Sequence, residues 1–187
     1  MRVITGSARG RRLISPEGRD VRPTTDKVKE SLFNIIQFEL QGAVVLDLFA
    51  GSGQMGLEAL SRGAVSCMFT DAAREAVDIV KENARTTGFF DKCRYLVSDY
   101  RNYIRKASGR DKFDLVFIDP PYAMQCSADA LKRLLEGGLL APGAIAVLES
   151  GEEEIDLGSL GSFEVIKSTH YGKKSFINIL LYKETEN

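Results

Sequence analysis

The fold of this chain is decided by the stretch VVLDLFAGSGQMGLEAL, residues 44–60. It begins as a short apolar run, typical of a buried strand in a parallel sheet, and resumes after two glycines with helical spacing. The pattern predicts a strand, a glycine turn at residues 51–53 and a helix N-terminus in direct succession. Gly51 and Gly53 let the backbone pass close to a ligand, and the helix N-terminus offers that ligand free N–H donors.

Asp47 is an acid within this otherwise apolar strand. A buried carboxylate is costly without a partner, so we expect it to accept backbone N–H bonds or to face a cationic ligand. Residues 51–56 also fit the G-x-G-x-x-G pattern of dinucleotide-binding enzymes, with Asp71 placed to hold ribose hydroxyls. The anionic pyrophosphate of a dinucleotide is a poor neighbour for Asp47. A sulfonium cofactor, which carries a positive charge and an α-amino group, suits this carboxylate better.

The rest of the chain alternates apolar runs with amphipathic segments. Between residues 44 and 149 this β-α alternation predicts a parallel sheet with right-handed crossovers, and two consecutive terminal strands predict an antiparallel edge hairpin. The sequence therefore predicts an α/β fold with a mostly parallel, seven-stranded sheet and a small N-terminal β-hairpin and helix. The predicted strands are 2–5, 10–14, a central strand beginning at 44, 65–70, 93–97, 113–118, 144–149, 162–169 and 174–182; the predicted helices are 26–38, 54–62, 73–86, 100–107 and 127–136.

Four carboxylates fall at or near the carboxyl ends of the predicted parallel strands. They are Asp47, Asp71, Asp99 and Asp119. Ligands of open α/β sheets bind beyond these strand ends, so one edge of the sheet is expected to gather all four. Core packing does not explain such a set, which indicates a binding site.

The run Asp119-Pro120-Pro121-Tyr122 follows a predicted buried strand. Two consecutive prolines remove two N–H donors and keep the backbone extended, which leaves a rigid corner rich in acceptors. Such a corner suits an amino group that must donate two hydrogen bonds, and accepting both protons directs the nitrogen lone pair at an electrophile. Asp119 is placed to take the proton released after attack, and Tyr122 to stack on a base. A solvated strand-ending turn is the alternative interpretation.

Composition bounds the class of protein. The chain has 187 residues, 44% of them hydrophobic and 27% charged, as expected for one globular domain. There is no apolar run of about 18 residues and no signal-peptide pattern, so we expect a cytoplasmic protein with no membrane segment. The three cysteines, Cys67, Cys93 and Cys126, have no metal-binding spacing and are expected to be free thiols; no metal site is predicted.

Positive charge is concentrated at the N-terminus. Residues 1–29 contain eight Lys and Arg against three Asp and Glu, although the whole chain has a net charge of −1. A basic arm on a mildly acidic body indicates a polyanionic partner. A solvated surface hairpin explains the charge equally well.

Two pairs of motifs resemble a known family. The runs DLFAGSG (47–53) and DPPY (119–122) resemble the Rossmann-like class I S-adenosylmethionine-dependent methyltransferases that act on nitrogen. More narrowly, RPTTDKVKESLFN (22–34) and GLEALSRGA (56–64) resemble the bacterial RsmD family. That family methylates N2 of one guanine in small-subunit (16S) ribosomal RNA, and the resemblance covers most of the chain.

The resemblance implies a cofactor, a partner and a set of site residues. S-adenosylmethionine is the implied methyl donor, and small-subunit ribosomal RNA or its assembling particle is the implied partner of a monomeric enzyme. A basic arm at 1–24 would precede a methyltransferase domain at 25–187, the two forming one compact unit. The implied residues are Asp47, Phe49, Gly51, Ser52, Gly53, Asp71, Ser98, Asp99, Arg22 and Thr24 for the cofactor, Asp119, Pro120, Pro121 and Tyr122 for catalysis, and Arg9, Arg11, Arg12 and Arg19 for RNA.

Other functions remain open at this point. DPPY also occurs in enzymes that methylate adenine N6, although a chain of this length leaves no room for a DNA-recognition insertion. Glutamine methyltransferases resemble NPPY and carry an additional helical domain. A non-catalytic RNA-binding assembly factor that retains the cofactor fold is a candidate from another class, and a nicotinamide-dependent oxidoreductase is a fourth.

Overall fold

The computed structural model describes residues 1–16, 26–121, 124–150, 161–171 and 175–184. Its strands are β1 (Val44–Asp47), β2 (Ser66–Asp71), β3 (Cys93–Val97), β4 (Phe113–Ile118), β5 (Leu140–Ser150), β6 (Phe163–Tyr171) and β7 (Ser175–Tyr182). Its α-helices are α1 (Asp26–Ile35), α2 (Gln54–Ser61), α3 (Arg74–Thr87), α4 (Tyr100–Ala107) and α5 (Ser127–Glu136), with short 3-10 turns at Gln37–Glu39 and Phe90–Lys92.

The seven strands form one sheet in the order β3-β2-β1-β4-β5-β7-β6. The first five strands pair in parallel, whereas β7 pairs antiparallel with both β5 and β6. This confirms the predicted mostly parallel sheet and its C-terminal edge hairpin. The chain reverses direction across the sheet at β1 and β4, the topological switch point where ligands bind in such folds.

Alternate residues of the buried strands fill two separate cores. In β1, Val45 packs with α1, α2 and α3 on one face of the sheet, and Leu46 packs with α4 and α5 on the other. Both side chains are fully buried, as expected for a parallel sheet covered by helices on both faces. Of the helices that the structure describes, none is long and apolar enough to cross a membrane.

The predicted N-terminal hairpin is present as an antiparallel pairing, but its two sides are not regular strands. Instead of a ladder between 2–5 and 10–14, one antiparallel bridge joins Arg2 and Arg12. Residues 1–14 are here called the basic segment. The N–H groups of Val3, Gly10 and Leu13 still donate to carbonyls across the turn, but those of Ile4, Thr5, Ala8 and Ile14 donate to side chains of α2 and α3, which interrupts a regular ladder. The predicted boundary between arm and domain, at residues 24 and 25, lies outside the described residues.

Two element boundaries also differ from the prediction. Helix α1 ends at Ile35, and a 3-10 turn replaces its predicted last turn. Phe38 in this turn is 86% exposed, so it does not extend the apolar stripe of the helix. Strand β5 begins at Leu140 rather than 144, because Leu140 pairs with Phe113 before the register shifts. Pro142 and Gly143, which are rarely found inside strands and so favoured a later start in the sequence, lie within that irregular stretch.

A buried carboxylate on α2, Glu58, anchors the basic segment. Its oxygens accept the backbone N–H groups of Ile4 at 2.7 Å and Thr5 at 3.0 Å. Arg62 Nε donates to it at 2.9 Å, and Lys29 Nζ lies 3.5 Å away. Lys29 in turn donates to the Arg2 carbonyl at 2.6 Å. The basic segment is therefore fixed to α1 and α2 by charge-assisted hydrogen bonds, which are among the stronger ones in proteins.

Glu58→Gln is expected to destabilise the protein by about 3–5 kcal/mol, because it leaves the buried Lys29 ammonium without its counter-ion. The measurement is urea unfolding followed by circular dichroism. Glu82→Gln, at an exposed position of α3, is the control and is expected to cost less than about 0.5 kcal/mol. Equal unfolding midpoints for the two variants would contradict the anchoring role of Glu58.

Candidate active site

A cavity of about 440 Å³ opens at the carboxyl ends of the parallel strands, within the usual range of small-molecule sites. We call it the edge cavity. The glycine turn after β1 and the proline corner after β4 both line it, which confirms that the two motifs share one cleft. Ten of the predicted site residues lie on its wall: Asp47, Phe49, Gly51, Ser52, Asp71, Ser98, Asp99, Asp119, Pro120 and Pro121.

Asp47 lies at the end of β1 and is only 3% exposed. One of its oxygens accepts the backbone N–H of Gly56 at 3.1 Å, as predicted for a buried acid in an apolar strand. Gly56 makes this contact possible, since a Cβ there would lie 2.4 Å from the Phe69 ring and 2.6 Å from Cys67 Sγ. Burial raises the pKa of Asp47 to about 7, the Gly56 bond opposes the rise and the nearby Asp71 adds to it.

The glycine turn is braced from β2. Asp71 accepts the N–H of Gly51 at 3.0 Å through one oxygen and that of Ala73 at 2.8 Å through the other. Gly53 is the predicted cofactor residue of this turn that is not on the cavity wall. It caps α2 with φ +76°, a left-handed conformation that glycine adopts readily, and packs toward Val80.

Ser98 and Asp99, which were predicted to contact the cofactor, lie between the end of β3 and the start of α4. The Asp99 carboxylate caps α4 by accepting the N–H groups of Arg101 and Asn102, each at 3.1 Å, and it also contacts the Asn102 side-chain amide. These bonds hold the pKa of Asp99 below its usual range, with the Asn102 backbone contact as the main cause. Ser98 donates its backbone N–H to the Asp71 carbonyl at 2.9 Å, which ties this wall to the glycine turn.

Asp119 follows β4 directly and lies among other acids. Its pKa is raised well above the usual range, first by burial and then by the charges of Glu149 and Asp47. Pro120 is buried and Pro121 is exposed beside it, so the corner offers carbonyl and carboxylate oxygens without N–H groups. Glu149, at the end of β5, lines the same cavity.

The sequence did not single out several residues of the wall. Gln54, the first residue of α2, is 8% exposed, and its Oε1 has no hydrogen-bond partner among the described residues. Its position directly after the glycine turn was the available signal. For Tyr100, whose position after Asp99 suggested either the wall of the site or helix packing, the structure shows both: it lines the cavity, stacks at a tilt on Phe49 with centroids 5.4 Å apart, and donates to Asp129 at 2.6 Å. The wall also includes Leu48 and Ala50, which belong to the motif at 47–53, and Met55, Ala72 and Met124, which no local pattern marks.

Some predicted residues are elsewhere. Arg9, Arg11 and Arg12 are exposed on the basic segment and are not on the wall of the edge cavity. The predicted residues Arg19, Arg22, Thr24 and Tyr122 lie outside the described part of the chain. None of the three cysteines is in a disulfide bond, as predicted.

The charge of the cavity limits what it can bind. Its described wall carries five carboxylates, at Asp47, Asp71, Asp99, Asp119 and Glu149, and no Lys or Arg. An anionic pyrophosphate would meet uncompensated negative charge here, whereas a cation or a donor of several hydrogen bonds is favoured. Across the described residues, no group of three His, Cys, Asp or Glu side chains is arranged to hold a metal ion.

Comparisons with known proteins agree with this geometry. A family model described as "Conserved hypothetical protein 95" matches residues 1–180. The "Putative rRNA methyltransferase YlbH" of Bacillus subtilis is 37% identical over 98% of this chain and 99% of that protein. The "Ribosomal RNA small subunit methyltransferase D" of Escherichia coli strain K12 is 35% identical over 82% of this chain and 76% of that protein.

A solved structure extends the match to three dimensions. The "Putative methyltransferase yhhF from Escherichia coli" superposes with a TM-score of 0.85 at 29% identity and covers 98% of both chains. The fold is thus the Rossmann-like methyltransferase fold that the sequence predicted. The family model spans nearly the whole chain, and the two rRNA methyltransferases of Bacillus subtilis and Escherichia coli are 37% and 35% identical to it. This protein therefore belongs to the family of the ribosomal RNA small subunit methyltransferase D.

Proposed function

We propose that this protein transfers a methyl group from S-adenosylmethionine to the exocyclic N2 amine of a guanine in small-subunit ribosomal RNA. The observation that carries the proposal is the edge cavity, in which a glycine turn and an acceptor-rich proline corner meet on an acidic wall. The names of the relatives, one of them a small-subunit RNA methyltransferase, support the substrate class.

The residues present fit the cofactor. S-adenosylmethionine is a cation with an α-amino group and two ribose hydroxyls, and all three features seek oxygen acceptors. The wall supplies acceptors in the carboxylates of Asp47 and Asp71, and the unpartnered Gln54 Oε1 is a further one. A nicotinamide dinucleotide fits worse, because the described wall has no cation for its pyrophosphate.

Each wall of the cavity has a role in this proposal. Asp47 and the turn at Gly51, Ser52 and Gly53 hold the methionine part, with Gly53 acting through its cap on α2. Asp71 accepts the ribose hydroxyls, and Ser98 and Asp99 flank the adenine together with the Phe49 ring. The family resemblance assigns Arg22 and Thr24, which lie outside the described residues, to the methyl-donor side of the cofactor.

Asp119 and the prolines prepare the amine for attack. The Asp119 carboxylate and the Pro120 carbonyl accept its two N–H bonds, which localises the nitrogen lone pair that the purine ring otherwise withdraws. When bound, the cofactor would supply a methyl group on a sulfonium sulfur: as the N–C bond formed, the C–S electron pair would return to sulfur, and the amine would be left with a proton to lose. Asp119 takes that proton, a task suited to a carboxylate with a raised pKa.

The RNA is held outside the cavity. Arg9, Arg11, Arg12 and Arg19 contact phosphates that flank the target, and Tyr122 stacks on the target base, which must be unpaired or flipped to enter. The protein acts as a monomer in the cytoplasm, on small-subunit RNA or on its assembling particle. Labelled methyl transfer to unmodified RNA and to unmodified particles, followed by mapping of the product nucleoside, tests the proposal and identifies the substrate form.

Asp119→Ala is expected to lower methyl transfer at least 100-fold while leaving the affinity for S-adenosylhomocysteine within threefold, because the residue acts on the amine. Radiolabel incorporation and isothermal titration calorimetry measure the two quantities. Asp91→Asn, on an exposed 3-10 turn, is the control and should keep full activity. A parent protein that binds RNA but transfers no methyl group to RNA or particles would instead support the assembly-factor alternative.

Asp47→Asn is expected to change the pH dependence of stability. The folded pKa of Asp47, about 7, lies above its ordinary value of 3.8, so the folded state binds this proton more tightly than the unfolded chain does. The resulting stabilisation is complete below pH 3.8 and is lost as the pH rises to about 7. The Asn variant should therefore flatten the melting temperature over this range and melt higher than the parent at pH 8.

The same variant should respond less to ligand. At pH 8, S-adenosylhomocysteine should raise its melting temperature less than that of the parent, since the α-amino group loses its carboxylate partner. Scanning calorimetry with and without the ligand measures both effects, with Asp91→Asn again as the control. If the melting temperatures of the parent and of Asp47→Asn changed with pH in parallel, the raised pKa of Asp47 would be contradicted.

Replacing Arg11 and Arg12 together with Ala is expected to weaken RNA binding and to lower the slope of log K against log salt by about 1.5–2. Fluorescence anisotropy with a labelled small-subunit RNA fragment at several salt concentrations measures this slope. The matched control replaces Arg110 and Lys112 with Ala. These two exposed cations precede the amino end of β4 and so lie at the end of the sheet opposite the edge cavity. Equal slopes for the two double variants would contradict a role for the basic segment.

A further inference from the structure

Asn83 occupies an unusual position between the basic segment and the edge cavity. It is fully buried on α3, and its side-chain amide makes three hydrogen bonds. The Nδ2 group donates to the carbonyls of Ile14 and Ser52, each at 2.9 Å, and Oδ1 accepts the N–H of Ile14 at 2.8 Å. Both amide protons are thus used on backbone oxygens, so this group is not a filler of the core.

The two partners of Asn83 belong to different functional parts. Ile14 ends the basic segment, directly after the arginines proposed to contact RNA. Ser52 is the middle residue of the glycine turn and lines the edge cavity. One planar amide therefore fixes the distance between the proposed RNA contact and the proposed cofactor contact.

The other end of the basic segment reaches the same turn. The Ser52 hydroxyl lies 3.0 Å from the Met1 sulfur, and the Leu13 N–H donates to the Met1 carbonyl at 3.1 Å. The bridge between Arg2 and Arg12 closes the segment on itself. The segment therefore forms a loop whose two ends both rest on Ser52, one directly and one through Asn83.

Resting on the proposed function, we propose that Asn83 is a positioning residue that couples the glycine turn to the basic segment. Cofactor binding orders the turn, Asn83 transmits that order to Ile14, and the arginines are held ready for RNA. By linkage the effect is reciprocal, so RNA on the basic segment tightens the cofactor site by the same factor. The Ser52 carbonyl and the Ile14 peptide are the two groups through which the coupling acts.

Hydrogen–deuterium exchange tests the coupling without turnover, with S-adenosylhomocysteine as the probe. In the parent protein the ligand is expected to slow exchange at least fivefold both in residues 47–56 and in residues 2–14. The β7 strand, distant in the sheet order from β1, serves as the internal reference and should change little. In Asn83→Leu, whose side chain has the same branching and number of heavy atoms but makes no hydrogen bonds, protection of 47–56 should remain while protection of 2–14 is lost.

Thr87→Ala is the matched control. Thr87 lies one turn further along α3, is also buried, and its hydroxyl donates to the Asn83 carbonyl at 2.8 Å. The variant loses a buried hydrogen bond of the same helix but none of those to Ile14 and Ser52, so it should keep protection of both regions. Asn83→Asp, which retains only the acceptor for Ile14, is a second variant if the leucine protein does not fold, and it should lose protection of 2–14 in the same way.

The outcomes separate the two proposals. If the ligand protects neither region of the parent protein, the cofactor assignment of the proposed function fails. If it protects 47–56 but not 2–14 of the parent, the coupling is wrong while the cofactor site stands. Retained protection of 2–14 in the Asn83 variants, or its equal loss in Thr87→Ala, would likewise overturn the coupling through Asn83.

Discussion

The buried carboxylate of Glu58 determines where the basic segment lies relative to the site. It holds two backbone N–H groups of that segment and two cations, Lys29 and Arg62, inside the core. A charge buried this deeply is tolerated only when its partners are fixed, so α1, α2 and the segment must assemble as one unit. Because α2 also begins at the glycine turn, the same interaction sets the distance from the arginines to the edge cavity.

The edge cavity is built at an electrostatic cost. Parallel strands deliver Asp47, Asp71 and Asp119 to one edge, where burial and mutual repulsion raise the pKa values of Asp47 and Asp119. The structure offsets part of this cost with backbone donors, such as Gly56 to Asp47 and Gly51 to Asp71. In the proposed function a cationic cofactor offsets more of this cost. The gathered carboxylates therefore account both for the raised pKa values and for the affinity for the ligand.

Most of the parallel strands were predictable because their apolar runs are buried on both faces and end at acids or glycines; β3, at the edge of the sheet, is the more exposed exception. The N-terminal strands were not, since local alternation cannot reveal that Ile4 and Thr5 bond to Glu58, 54 and 53 positions away. Gly53 was assigned to the ligand by its motif, yet its left-handed conformation serves the cap of α2. Met124 was missed because only the folded chain brings it to the cavity, whereas Gln54 directly follows the glycine turn and could have been found from that position.

The sequence by itself determined the order of the elements, the family and the four acids at strand ends, because hydrophobic period and short motifs are local properties. It also determined that one edge of the sheet must gather those acids, since parallel strands share a direction. The cap of α4 by Asp99 is likewise local, because it joins residues two and three positions apart. Only the tertiary structure decided that the Asn83 side chain bonds to Ile14 and Ser52. Those contacts join residues 31 and 69 positions apart, and such distances are set by packing, which no local pattern encodes.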